Sequence, residues 1–165
     1  SVAWLVAWDG EVADRIVDVV GKLLESAPRR DVIAANLAAN AFVAIVDGPA
    51  HAMGLVNLIA PEHLELMTAD PEELVPLVRN AGAVFCGPYA PASVGDYVAG
   101  PNHVLPTYGS ARFAGALRVD DFLKHIHVVT LDEDALARVA PFVAAMAEAE
   151  GLPTHAESVR MRGAR

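Results

Sequence analysis

Short apolar runs alternate with amphipathic helical stretches along most of this chain of 165 residues. The runs at residues 2–7, 41–46 and 83–86 are typical of strands that are buried on both faces of a sheet. Between the first two runs, apolar residues recur at helical spacing from Glu11 until Pro28 ends the pattern. Strands that alternate with helices imply parallel pairing with right-handed crossovers. The chain is therefore predicted to be an α/β protein with helices on both faces of one parallel sheet.

Turn and capping residues predict the other elements that precede the last of these strands. A helix is expected over residues 29–39, and another begins at Pro49, in a first turn where the missing N–H costs nothing. The alternating run at 63–68 predicts a short strand. Asp70, followed by Pro71 and two glutamates, predicts a further helix with Asp70 as its N-cap.

The character of the sequence changes from Arg118 onward. Thr130 and Glu133 form a capping box for a long helix, which Pro141 should kink or divide. The polar tail beyond Gly151 is expected to be disordered unless it docks on something. Two short elements are predicted before the helix, a helical turn and a strand, at residues 120–125 and 126–130.

Composition limits the classes of function that fit this chain. A formal net charge of −9 argues against nucleic acid or an anionic membrane as the main partner. The sequence has no run of about 18 uninterrupted apolar residues, so no membrane span is expected. A single cysteine, Cys86, fits a reducing compartment, and a cytoplasmic location is expected. Because 54% of the residues are hydrophobic, we expect an oligomer that hides part of this surface.

A segment rich in glycine and proline, Ser93–Thr107, places Asp96 and His103 seven positions apart. Glycine and proline fix unusual backbone angles, so the segment is predicted to be a shaped loop rather than one helix or strand. Shaped loops on rigid scaffolds often carry chemistry. The other interpretation is an ordinary polar connection in which Asp96 caps a helix.

An acid and an imidazole are adjacent at Glu62 and His63, at the start of the predicted strand. Two neighbouring proton acceptors suit general-base chemistry, although a surface pair is the other interpretation of this spacing. His51 is interpreted as structural, without an acidic neighbour, and Cys86 as an inert core residue. His125 and His127 alternate on a predicted strand and are interpreted as a solvated edge rather than a metal site.

Four blocks of sequence closely resemble the C-terminal part of histidinol dehydrogenases. The blocks are Ala60–Leu66, Gly82–Phe85, Ser93–Thr107 and Ala111–Phe113. The resemblance implies an incomplete Rossmann-like, partly parallel sheet flanked by helices and followed by a helical C-terminal tail. On this basis, residues 1–117 are expected to belong to the catalytic α/β domain, and residues 118–165 to form a helical extension used in dimerisation.

The resemblance implies a zinc-dependent homodimer that oxidises L-histidinol to L-histidine with two NAD molecules, through the aldehyde. His63 matches the base that takes the alcohol proton, and Glu62 the base that activates water. Asp96 matches a zinc ligand. His155 matches a second zinc ligand, which in the family comes from the tail of the partner subunit. Glu150 matches a substrate-contacting residue.

The pocket that the resemblance implies also includes His103. His63, Asp96 and His155 would contact the substrate as well. The family chain is more than twice as long, and its two other zinc ligands, a Gln and a His, lie upstream of the point that matches Ser1. Its NAD contacts lie still earlier. The chain alone is therefore expected to be inactive.

Departures from the family pattern affect loop detail. Ala92 stands where many members have Glu, and Ala114–Ala116 replaces a more usual Ser-Ser-Gly. A non-catalytic dimerisation or regulatory fragment is the alternative function. A zinc hydrolase is disfavoured because the sequence has no His-Glu-x-x-His helix.

Overall fold

The computed structural model describes residues 1–163 and divides the chain into two compact units, Ser1–Asp121 and Phe122–Arg165. The second unit is described as far as residue 163. In the first unit, the strands and helices occur in the order β1 (Ala3–Ala7), α1 (Gly10–Glu25), α2 (Arg30–Asn40), β2 (Ala41–Ile45), α3 (Pro49–Ile59), β3 (His63–Leu66), β4 (Ala83–Cys86) and α4 (Ala92–Tyr97). The predicted α/β class, with parallel strands flanked by helices, is confirmed.

The strands form two separate two-stranded sheets, so the expectation of one sheet was wrong. In the first sheet β1 pairs with β2 in parallel, from Ala3 opposite Ala41 to Ala7 opposite Ile45. Asp9 is the N-cap of α1, since its side chain accepts a hydrogen bond from the Val12 N–H at 3.1 Å. Each sheet consists of two strands and the segment that connects them, and α3 lies in sequence between the two sheets.

The second sheet pairs β3 with β4 in parallel, from His63 opposite Ala83 to Leu66 opposite Cys86. Side chains alternate along β3: Leu64 and Leu66 are buried with residues of α3, whereas the side chains at positions 63 and 65 belong to the opposite face. The buried core of this part of the unit contains Met53, Val56, Leu64, Leu66 and Leu74. This alternation leaves the polar side chains of β3 free to form a site.

The helix predicted from Asp70 does not form. Two short 3₁₀ turns, Pro71–Glu73 and Val75–Leu77, occupy the segment, and Asp70 makes no side-chain capping bond. Pro76 explains the difference, because within an α-helix its ring would meet the carbonyl four residues earlier and its nitrogen could not donate.

The second unit consists mainly of α5 (Glu133–Ala149) and α6 (Pro153–Gly163). Three alanines, Ala144, Ala147 and Ala156, are buried between these helices, and their small side chains permit close packing. The polar tail is therefore a helix packed on α5, which confirms the helical C-terminal tail that the resemblance implied. Glu148 pairs with Arg160, and this hydrogen bond and the attraction between the charges raise the pKa of Arg160.

Two further expectations for this unit, and one half of a third, were wrong. Residues 126–130 form no strand, and their side chains are exposed, because no strand in the described part of the chain pairs with them. Asp132, rather than Thr130, caps α5 by accepting a hydrogen bond from the Ala135 N–H at 2.7 Å. Pro141 does not divide α5, which continues to Ala149. Among the described residues, no helix combines the length and apolar character needed to cross a membrane.

Candidate functional site

Three elements of the first unit bring polar side chains to one place. β3 supplies His63, α4 supplies Asp96, and the loop that follows α4 supplies His103. The Nε2 atom of His103 lies 2.8 Å from His63 Nε2 and 2.8 Å from Asp96 Oδ1. The side chains are partly exposed, at 30% for His63, 42% for Asp96 and 27% for His103, so the cluster is open to a ligand.

Glu62 adds a second carboxylate beside this cluster. Its Oε1 atom lies 3.9 Å from His63 Nδ1, and its side chain is 41% exposed. The two nitrogens of His63 therefore face different groups: Nδ1 faces Glu62, and Nε2 faces His103. Sequence adjacency alone predicted the acid–imidazole pair, and the structure adds His103 and Asp96 on the other side of the ring.

Proton counting shows what this cluster can hold. His103 Nε2 carries at most one hydrogen, yet it lies within hydrogen-bond distance of both Asp96 and His63. It can donate that hydrogen to the carboxylate, with the lone pair of His63 Nε2 sharing it. A cation can replace this hydrogen, since it accepts lone pairs from His63 Nε2, His103 Nε2 and Asp96 Oδ1.

The donor set fits a zinc ion. Imidazole nitrogen and carboxylate oxygen are ligands that zinc takes, and the donor atoms of His63, Asp96 and His103 all lie within 4.8 Å of one another. Zinc bonds of about 2.0–2.1 Å at a tetrahedral centre separate ligand atoms by roughly 3.3 Å. The separations of 2.8 Å are therefore shorter than bound zinc requires, and the side chains must part by about 0.5 Å.

Backbone packing fixes the segment that carries Glu62 and His63. Ala60 ends α3 in the left-handed conformation, with φ of 54°. The N–H groups of Gly82 and Ala83 donate to the carbonyls of Pro61 and Glu62, both at 2.9 Å. A Cβ atom at Gly82 would lie 2.6 Å from the Glu62 carbonyl oxygen. Only glycine allows this close approach, which sets where β3 begins.

Glu65 holds the helix that carries Asp96. It lies two residues after His63 on β3, and its Oε1 atom accepts a hydrogen bond from the Ala92 N–H at 2.8 Å. Ala92 is the first residue of α4, so this carboxylate takes one of the free N–H groups of the helix start. Asp96 lies in the last turn of α4 and is not a cap, so the interpretation of Asp96 as a helix cap was wrong.

Asn102 holds the loop that carries His103. Its Oδ1 atom accepts a hydrogen bond from the Val104 N–H at 3.1 Å, which makes a local Asx-type turn around His103. Its Nδ2 group donates to the Leu117 carbonyl at 2.7 Å, and the Leu117 N–H donates to the Val104 carbonyl at 3.0 Å. These hydrogen bonds restrain the loop on both sides of His103, whose imidazole enters the site.

Aromatic packing supports His63 as well. Its ring stacks against the Phe85 ring, with centroids 6.1 Å apart and planes at 20°. It also stacks against His103, with centroids 4.9 Å apart and planes at 28°. Sequence reasoning assigned no role to Phe85, Glu65 or Asn102, although all three lie inside the blocks that carried the resemblance.

Glu150 and His155, the two other predicted site residues, lie in the second unit. Glu150 ends α5 and His155 lies in the first turn of α6, and both are exposed. Their roles as substrate contact and zinc ligand stay predictions.

The remaining histidines and the cysteine lie elsewhere. His51 Nδ1 lies 3.1 Å from Asp47 Oδ2, one helical turn away, so the expectation that it has no acidic neighbour was wrong. His125 and His127 are exposed in a segment that forms no strand. Cys86 packs against the buried core, as predicted.

Comparison with known proteins places these observations in a family. The family model described as histidinol dehydrogenase matches residues 1–163. A histidinol dehydrogenase of Gloeobacter violaceus is 46% identical over 160 residues, which cover 97% of this chain and 36% of that protein. One of Synechococcus sp. is 46% identical over 162 residues, with 98% of this chain and 37% of that protein covered.

A solved structure shows the same likeness. The crystal structure of histidinol dehydrogenase from Elizabethkingia anophelis superimposes with a TM-score of 0.79 at 31% identity, covering 96% of this chain and 36% of that chain. The chain thus spans just over a third of the length of the relatives that it matches. By sequence and by fold, the chain belongs to the histidinol dehydrogenase family.

Proposed function

We propose that this chain is the C-terminal catalytic portion of a zinc-dependent enzyme that oxidises L-histidinol to L-histidine with two NAD molecules, through histidinal. The observation that carries the proposal is the convergence of His63, Asp96 and His103, with Glu62 at the other nitrogen of His63. A scaffold used only for dimerisation has no need for this arrangement. The convergence therefore favours catalysis over the dimerisation or regulatory alternative.

Asp96 would hold the zinc ion from this chain, together with His155 from the tail of a second copy. When bound, zinc supplies a charged centre that positions the imidazole and amine of the substrate. His103 contacts the substrate, and its Nε2–H, directed at Asp96 Oδ1, keeps that carboxylate in place. Glu150 would reach the same substrate from the tail.

His63 and Glu62 divide the proton transfers. NAD, when bound, accepts one hydride in each oxidation. His63 Nε2 takes the proton of the substrate hydroxyl in the first oxidation, which leaves the aldehyde. Glu62 then takes a proton from water as the water oxygen adds to the aldehyde, and the hydrate anion that forms becomes the acid when its hydride passes to the second NAD. General-base steps of this kind contribute about 10²–10⁴-fold each.

Reconstitution tests the proposal. The chain is combined with a polypeptide that carries the rest of the family sequence, and NAD reduction is measured with histidinol and zinc. The His63→Asn variant should lower kcat by about 10²–10⁴-fold. The matched control is His51→Asn, since His51 is 59% exposed and lies outside the site. This control should retain the wild-type rate.

Two outcomes would contradict the proposal. One is a reconstituted wild type that reduces no NAD under any zinc concentration. The other is a His63→Asn variant as active as His51→Asn. The 165-residue chain assayed alone should reduce no NAD, because about two thirds of the family sequence is absent from it.

A further inference from the structure

Gly95 and Phe85 make a contact that the mechanism above leaves unused. Gly95 immediately precedes Asp96 on α4. Phe85 lies on β4, with the edge of its ring next to Gly95. A Cβ atom at Gly95 would lie 2.7 Å from Phe85 Cζ and 2.8 Å from Phe85 Cε1. Real Cβ atoms do not approach an aromatic ring so closely, so the absence of a side chain here lets α4 rest against the ring.

The same Phe85 ring also stacks against His63, which in turn stacks against His103. The three rings follow one another as Phe85, His63 and His103, with centroid separations of 6.1 Å and 4.9 Å. Both separations suit offset stacking. A ring that stacks against two neighbours is restrained in its plane, and the plane of His63 decides where Nε2 points.

We propose that Phe85 is a positioning residue that fixes the ring plane of His63, and that Gly95 is the residue that allows it to do so. The register of β3 and β4 supports this, because it places Phe85 opposite Glu65, and Glu65 in turn holds the start of α4. One aromatic ring thereby couples the strand that carries His63 to the helix that carries Asp96. The catalytic meaning of the inference rests on the proposed function.

The geometric part is tested on this chain alone by NMR with labelled histidine. In the wild type, nuclear Overhauser contacts should join the rings of His63 and His103. Phe85→Leu removes the supporting ring and should reduce the intensity of these contacts several-fold, whereas Phe85→Tyr should restore it. Phe42→Leu is the matched control, because Phe42 stacks on Trp4 in the other sheet.

Gly95→Ala places a methyl group 2.7 Å from Phe85 Cζ, too close for the ring to stay in place, and 3.6 Å from His103 Cε1, which is ordinary contact. It should weaken the same contacts, and the double variant with Phe85→Leu should be no worse than the worse single variant, since the shorter leucine makes room for the new methyl group. Unchanged contacts in Phe85→Leu, or losses equal to those in Phe42→Leu, would overturn the inference.

The catalytic part is tested in the reconstituted enzyme. Phe85→Leu should lower kcat about tenfold while KM stays within about twofold, because the direction of His63 Nε2 changes while the proposed zinc ligands Asp96 and His155, which position the substrate, are untouched. Phe85→Tyr should recover most of the rate. A rise in KM as large as the fall in kcat would contradict a positioning role. An inactive wild type would defeat the proposed function and leave the NMR result standing.

Discussion

His63 is the residue on which the site is organised, because each ring nitrogen faces a different partner. Nδ1 faces Glu62 at 3.9 Å, and Nε2 faces His103 at 2.8 Å. A base placed between a carboxylate and a second imidazole can take a proton at one nitrogen while the other stays beside a negative charge. This division of neighbours suits the proposed mechanism, in which His63 takes part in the first proton transfer and Glu62 activates water.

The role of Glu62 predicts a change in stoichiometry. In the reconstituted enzyme, Glu62→Gln removes the group that takes the proton of water but leaves His63 in place. The first oxidation should proceed and the second should slow, so NADH formed per histidinol consumed should fall from about two toward one. The measurement is NADH absorbance against substrate loss.

Glu73→Gln provides the control for this experiment, since Glu73 is exposed and lies in the 3₁₀ turn after β3. The control should keep the wild-type ratio. An unchanged ratio in Glu62→Gln would show that another group activates the water.

At the scale of elements, local sequence patterns predicted the strands and helices whose formation depends on residues close together in the chain. The strands at 2–7 and 83–86 form where they were predicted, because a short continuous apolar run is typical of a buried strand. The helix expected after Asp70 failed, because Pro76 outweighed a favourable start. The strand at 126–130 failed because pairing depends on a neighbour, which sequence does not reveal.

The candidate site shows the same contrast between what local sequence predicts and what depends on the fold. The adjacent residues Glu62 and His63 could be predicted as a pair from sequence, and Asp96 with His103 as a second pair. That the two pairs meet depends on the β3–β4 register and on α4, which no spacing in the sequence reports. The support from Phe85 was missed for the same reason, since stacking across strands is a tertiary fact.

Gly82 gives a stability prediction at this scale. Gly82→Ala places a methyl group 2.6 Å from the backbone oxygen of Glu62, and a backbone atom cannot move away cheaply. The free energy of unfolding should fall by about 1–3 kcal/mol. Urea denaturation of the chain measures it.

Gly54→Ala is the matched control for this substitution. Gly54 lies inside α3 with open space around the position of a Cβ atom. The substitution should therefore raise the free energy of unfolding by about 0.5–1 kcal/mol. A Gly82→Ala variant as stable as the wild type would show that β3 tolerates a shift at Glu62.

At the scale of the whole molecule, the two units carry different parts of the proposed site. Glu62, His63, Asp96 and His103 belong to the first unit, and His155 belongs to the second. The proposed swap of tails makes each site depend on two chains, because Asp96 and His155 would come from different subunits. Such sites are tested by mixing variants.

Mixing should restore activity between two inactive proteins. Reconstituted Asp96→Asn and His155→Asn enzymes, each lacking one zinc ligand, are unfolded, mixed and refolded together. Random pairing makes half of the dimers mixed, and each mixed dimer holds one intact site, so about a quarter of the wild-type activity should return. No recovery would place both ligands in the same chain.

The most direct test of the central claim, that His63 and His103 lie beside the proposed zinc ligand Asp96 in one site, is a zinc titration of the histidine-labelled chain followed by NMR. The account predicts that the ring resonances of His63 and His103 move together at the same zinc concentration, and that Asp96→Asn suppresses this response. His51, 3.1 Å from Asp47 and remote from the cluster in sequence, is the internal control and should not respond at that concentration. A response of His51 equal to that of His63 and His103, or one that survives Asp96→Asn unchanged, would contradict it.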